Sequence, residues 1–204
     1  VVRLRASSPA GAAACDLPFA VMDEPLPPRV DSYFGLHSGP VAHGRRIGAS
    51  WLRHFRHWRW LPEKDGHYDL ANMLGRAARD YGMSELECIE VCSPPPKYRL
   101  EDSEPPGLPD PVEQERFTRE FVLAAKDSTW VELINEPDLS VVNLYQKGRE
   151  VGVERYCEML ERLVPQIRQV RPDIKVFGAG VSGVDFTRGF HFLEGVLARA
   201  GQHI

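Results

Sequence analysis

The run Trp130-Val131-Glu132-Leu133-Ile134-Asn135-Glu136-Pro137 puts an amide and a carboxylic acid at the end of an apolar segment. Val131, Leu133 and Ile134 have the apolar, partly β-branched character of a short buried strand. Pro137 has no N–H to give to a ladder, so the strand stops before it. A residue ahead of a proline is pushed toward the extended region, which predicts a restricted, extended backbone at Glu136. In sheets built from alternating strands and helices, chemistry is done at the carboxyl ends of the strands. A carboxyl group there is placed to hand a proton to a departing oxygen.

Other side chains gather at similar strand ends. His37 closes an aromatic and apolar stretch and is a candidate substrate contact. Arg53 and His54 close a second stretch. His54 and His57 are three residues apart at a strand end, so their rings point in different directions and read as hydrogen-bonding or solvated groups, not a metal pair. His37-Ser38-Gly39 lacks a His-x-His pair, which makes a metal-dependent reading the weakest alternative, and no cofactor is expected. Trp58 and Trp60 follow in a loop, with Trp58 the first candidate for a flat apolar stacking platform against a substrate. Packing under the loop is the plain alternative for both. Glu132 alternates with Leu133 and is expected in a structural ion pair. Glu90 is a weaker second carboxylate, since an unpaired charge inside a sheet is costly.

These residues require elements to hold them. Val1–Ala6 alternates like a strand, Ser7–Ala14 reads as a small-residue loop, and Asp23–Arg29, with Pro25, Pro27 and Pro28, reads as an extended linker. Residues 1–30 are therefore expected to form an N-terminal arm or the tail of a β-rich module, and residues 31–204 the main domain. Strands are expected at Tyr33–His37, Ala49–Phe55, Leu86–Cys92, Trp130–Glu136 and Ile174–Gly178. Val41–Ile47 is a brief helix or turn. Asp69 is a candidate cap for a helix carrying Leu70, Met73, Leu74, Ala77 and Ala78 and ending near Gly82. Pro111 opens another helix, with Phe117, Phe121, Val122 and Ala125 inward. Glu150–Val170 is a long amphipathic helix that Pro165 interrupts, and Phe190–Ala200 is the last.

Strands alternating with helices predict an α/β fold with parallel strands, either doubly wound or the start of an eight-unit barrel. The glycine cluster Gly178-Ala179-Gly180-Val181-Ser182-Gly183 follows the fifth strand, not the first, and has no acidic residue about 20 positions on. That favours a (β/α)8 TIM barrel. A complete one takes about 250 residues, so this chain is expected to hold roughly its first five βα units.

The chain has 204 residues, 43% hydrophobic and 26% charged, in the range of ordinary globular proteins. A net charge of −4 gives no reason to expect nucleic acid or an anionic membrane as partner. No apolar run is long enough to cross a bilayer. Cys15, Cys88, Cys92 and Cys157 match no zinc spacing and no dense disulfide framework; they read as buried thiols and leave the compartment open. The start at Val1 is read as processed or truncated.

Several stretches together resemble the retaining glycoside hydrolases of clan A. Trp130–Pro137 is similar to that clan's fourth-strand motif, in which Asn-Glu-Pro carries the acid/base. Ile47–Asp69, with Trp-Leu-Arg, Trp58 and Glu-Lys-Asp-Gly-His-Tyr-Asp, resembles its second strand and following loop, and Phe34-Gly35-Leu36-His37 its first strand. The closest group is the xylosidases and iduronidases of glycoside hydrolase family 39, with family 5 next. The resemblance implies that Glu136 is the general acid/base. Asn135 would bond the hydroxyl beside the reacting carbon, and Arg53 would steady the carboxylates at the base of the pocket. It implies a carbohydrate substrate and places the attacking glutamate near the end of a seventh strand, beyond Ile204; the alternatives are a non-catalytic carbohydrate-binding barrel and, behind it, a metal-dependent hydrolase on the same architecture. Leu61-Pro62-Glu63 departs from the clan's usual loop, where glutamate comes before proline. A part-barrel exposes a sheet edge and apolar faces. The isolated chain is therefore expected to be unstable, or to pair with the missing part or with another copy.

Overall fold

The computed structural model describes residues 2–8, 11–17, 35–37, 39–70, 73–103, 107–139, 149–182 and 186–204. Strand β1 (Val2–Ser8) pairs antiparallel with β2 (Gly11–Leu17), Ser8 opposite Gly11 and Val2 opposite Leu17. The small-residue segment expected as a loop is thus largely strand. Alanine and glycine are poor strand formers, but the ladder is made by backbone groups, which these residues carry as fully as any other. The proline-rich linker at Asp23–Arg29 lies outside the described residues.

Among the described residues the main sheet has five parallel strands: β3 (Gly35–His37), β4 (Trp51–His57), β7 (Ser84–Glu90), β10 (Trp130–Glu132) and β11 (Lys175–Phe177). Each lies beside its neighbour in sequence, from β3 at one edge to β11 at the other. A doubly wound sheet reverses its order at a switch point; this one does not. Two small hairpins fill connections: β5 (Glu63–Lys64) with β6 (His67–Tyr68), and β8 (Arg99–Leu100) with β9 (Leu108–Pro109).

Between and after these strands lie the helices α1 (Val41–Arg46), α2 (Arg76–Tyr81), α3 (Pro111–Ala124), α4 (Arg149–Val170) and α5 (Phe186–Ala200). Asp110 caps α3 by accepting from the N–H groups of Val112 at 2.9 Å and Glu113 at 3.0 Å, while Pro111 takes the first position, where no N–H is needed. Pro165 sits inside α4 without ending it. The helix expected from Leu70 is shorter than its apolar stripe. Gly75, with φ of 70°, precedes Arg76, so Leu70 and Leu74 are buried but belong to the turn before α2.

The helices cover one face of the sheet. Phe117, Phe121, Leu160, Leu163 and Val164 meet Ile89, Val131, Leu133 and Val176 in one continuous core. Trp58 joins it, its ring parallel to Phe117 within 6° at 4.5 Å and its indole N–H donating to the Tyr68 hydroxyl at 2.7 Å. The same face holds two polar side-chain pairs in the layer between sheet and helices. His54 Nε2 lies 3.1 Å from Glu85 Oε1, and Arg56 Nε donates to Glu87 Oε2 at 3.1 Å. Glu85 Oε2 also accepts from the Ala77 N–H at the start of α2, at 3.1 Å.

Candidate functional site

Side chains along a strand alternate between faces. On β4, Leu52, His54 and Arg56 go to the helix side, and Arg53 goes to the opposite, inner face. There the Arg53 guanidinium reaches across the sheet. Its Nε donates to Glu132 Oε2 at 2.7 Å, and its Nη2 to Asn135 Oδ1 at 2.8 Å and Cys88 Sγ at 3.2 Å. Its Nη1 lies 3.1 Å from His37 Nδ1. A guanidinium has no acceptor, so Nδ1 of His37 accepts and the ring proton sits on Nε2. One cation thereby ties the ends of β3 and β10 to the middle of β4 and β7.

Burial works against the Arg53 charge, but the bond to Glu132 and the nearby negative charges outweigh it and raise its pKa. Glu132 is fully buried, which makes Arg53 its necessary counter-ion. Burial pushes the Cys88 thiol up, and the Glu132 charge adds to this, so Cys88 is a neutral donor or packing group rather than a thiolate.

Asn135 and Glu136 stand where β10 ends. Asn135 bridges in parallel to Gly180, and the Glu136 N–H donates to the Gly180 carbonyl at 3.0 Å. Glu136 does not take the extended backbone expected ahead of a proline: its φ is 47°. The chain reverses there, with residues 137–139 helical and the Leu139 N–H donating to the Glu136 carbonyl at 2.8 Å. Ala179, at the end of the neighbouring strand, has φ of 48°, and its N–H donates to the buried Tyr156 hydroxyl at 2.9 Å. Left-handed backbone at a residue bearing a Cβ costs about 1–2 kcal/mol. Such strain persists where surrounding contacts over-determine it, and it gathers at functional sites. Here two strained residues adjoin, on the rim where Asn135 is held.

Glu90, at the end of β7, is the inner face's further carboxyl and is 5% exposed. Burial, set against the Asn135 N–H it accepts from and the nearby Arg59, pushes its pKa up to about 7. Its Oε1 and the Oε1 of Glu132 are buried without a hydrogen-bond partner among the described residues.

The structure brings Arg53, His37, Asn135 and Glu136 to one region, with Glu132 in the ion pair its alternation implied. Glu136 is the smallest of the influences acting on the Arg53 charge, after Glu132 and Cys88. Two expected contacts do not join them. His54 is one residue along from Arg53, and that single step turns it to the helix side against Glu85. Trp58 is fully buried against Phe117, so no sugar reaches its ring. Trp60, two residues on, is 70% exposed. Sequence reasoning gave Glu90 little weight and gave Cys88 and Gly180 no role. The available signal for Glu90 was its two-residue step from Cys88 and four-residue step from Leu86, which puts it on the inner face.

Among the described residues, no three His, Cys, Asp or Glu side chains cluster to hold a metal ion. None of the described helices is long and apolar enough to cross a membrane. No protein-family model matches this chain, and no curated protein matches its sequence.

Proposed function

We propose that the chain is the first five units of a (β/α)8 barrel and carries half of the machinery of a retaining glycosidase. The observation that carries this reading is the position of Asn135 and Glu136. They stand at the carboxyl end of the fourth strand of a sequential parallel sheet, with Asn135 Oδ1 pinned by Arg53.

In the proposed reaction a second carboxylate, contributed from beyond Ile204, attacks the anomeric carbon. The bond to the leaving oxygen breaks, and Glu136 gives its proton to that oxygen. Glu136, now ionised, takes a proton from water as the water displaces the enzyme carboxylate and frees the sugar. Asn135 holds the hydroxyl beside the reacting carbon through its amide N–H, because its carbonyl oxygen is already engaged by Arg53. His37 keeps its Nε2 proton available to a substrate oxygen. Metal and cofactor play no part in this scheme.

The test is Glu136→Gln in the full-length protein, assayed on glycosides with good and poor leaving groups. A loss of about 10²–10⁴ in kcat/KM is expected on poor leaving groups, with a much smaller loss on activated aryl glycosides. Equal rates for the two proteins would remove Glu136 from the mechanism.

A further inference from the structure

Two residues beyond Glu136, the carboxylate of Asp138 closes on the loop that follows β11. Its Oδ1 accepts from the Ser182 N–H at 2.9 Å and its Oδ2 from the Ser182 hydroxyl at 2.7 Å. Hydrogen bonds to an ionised acceptor are shorter and stronger than those between neutral groups. Gly189 of α5 packs against the pair: a Cβ there would stand 3.5 Å from Asp138 Oδ2 and 3.3 Å from the Val181 side chain. Asp138 is partly buried and has no part in the reaction proposed above, yet both of its oxygens are committed to one neighbour.

The spacing of these contacts bears on the candidate acid. On one side of the Glu136 Cα, its own N–H is bound to Gly180; on the other, Asp138 is bound to Ser182. Two points two residues apart on one segment are fastened to two points two residues apart on its neighbour. With the Gly180 bond alone, the backbone is free to turn at Glu136 and to relax φ from 47° toward the extended region that a residue before proline prefers. With both, that turn breaks the Asp138 bonds. Asn135 is held separately, its N–H by Glu90 and its Oδ1 by Arg53, so losing the Asp138 contacts acts on Glu136 and not on Asn135.

We propose that Asp138 is a positioning residue for Glu136: its two bonds to Ser182, together with the Glu136–Gly180 bond, hold the acid's backbone left-handed and so fix where its carboxyl group stands. This inference rests on the hydrolytic reading above and adds to it a residue that acts through Glu136 without touching the sugar.

Asp138→Ala, Ser182→Ala and Ser182→Thr, made in the full-length protein, test it beside Glu136→Gln on the same good and poor leaving groups. Asp138→Ala should lose on the order of 10²-fold in kcat on poor leaving groups, the cost of a misplacement of about 1 Å, with KM little changed and a much smaller loss on activated aryl glycosides. Ser182→Ala keeps its N–H and should lose less. Ser182→Thr keeps the hydroxyl and should retain most of the parent's rate. An undiminished rate in Asp138→Ala, or equal losses on good and poor leaving groups, would overturn the proposal; if Asp138→Ala does not fold, Ser182→Ala decides by the same measures. A crystal structure of the variant gives a readout independent of turnover. Glu136 is expected to leave the left-handed region, and a retained positive φ would overturn the proposal. A relaxed backbone in Asp138→Ala, together with turnover indifferent to Glu136→Gln, would sink the hydrolytic mechanism and leave the positioning contact standing.

Discussion

The backbone N–H of Glu136 donates to the carbonyl of Gly180 across 3.0 Å, so the candidate acid hangs from the end of the neighbouring strand. Gly180 can come this close because it has no side chain: a Cβ there would collide with the Glu132 carboxylate. Gly180→Ala is therefore expected to cost about 1–3 kcal/mol by overpacking, read as a lower urea midpoint. A wild-type midpoint would mean that Glu132 moves aside freely, which its bond to Arg53 argues against.

Arg53 and Glu132 give a second prediction, because one partner is fully buried. Arg53→Met strands that carboxylate without its counter-charge and should destabilise by about 3–5 kcal/mol. Changing Glu132→Leu in the same protein should recover most of the loss, since a buried pair replaced by apolar groups of similar volume is often neutral. Chemical denaturation of the two single variants and the double variant closes the cycle. Additive losses would show that the pair contributes no coupling.

The two tryptophans of the loop should behave oppositely in stability. Trp58→Ala removes a buried ring stacked on Phe117 and should cost about 3–5 kcal/mol. Trp60→Ala alters an exposed side chain and should stay within about 0.5 kcal/mol of the parent. Thermal melts of both variants decide this. Comparable losses would mean that Trp60 also packs.

Stability should fall as the solution turns from mildly acidic to mildly alkaline. Burial, the largest cause in each case, pushes Glu87 and Glu90 from an ordinary 4.5 up to about 7. Folded carboxyls of this kind keep their protons at a pH where the unfolded chain has lost them. The folded state is thus unpenalised below about 4.5 and progressively penalised up to about 7, by on the order of 3 kcal/mol per group. Urea midpoints should be higher at pH 5 than at pH 8, and Glu87→Gln should flatten part of that slope. A midpoint that rises across the window would contradict the assignment. Glu85 has its pKa lowered, its own burial outweighed by His54 and by backbone N–H groups. It acts in the opposite sense and at lower pH, where its contribution is lost on acidification.

Much of the strand-and-helix alternation was legible because parallel strands buried beneath helices read as apolar runs. Val131 and Leu133 are of this kind, and the inward set Phe117, Phe121 and Val122 repeats at helical spacing. The ion pair of Glu132 was legible from alternation alone. What failed depended on single-residue phase or on backbone strain. His54 is as polar as Arg53 and adjacent to it, so type alone could not tell which of them faces inward. Trp58 and Trp60 differ only by where a short 3-10 turn, Trp58–Trp60, sets each ring. The left-handed Glu136 ran against the usual effect of proline on its predecessor, because a long-range bond to Gly180 and the start of a helix together outweigh it.

The strand order carries one more consequence. Because the five strands follow one another without reversal, Gly35–His37 and Lys175–Phe177 are the two borders of the sheet among the described residues. Any cylinder grown from this wall must add its next stave beside Phe177 and bring its last one to rest against His37. Were such a wall to close, His37, already 3.1 Å from Arg53 through its Nδ1, would stand beside the last stave.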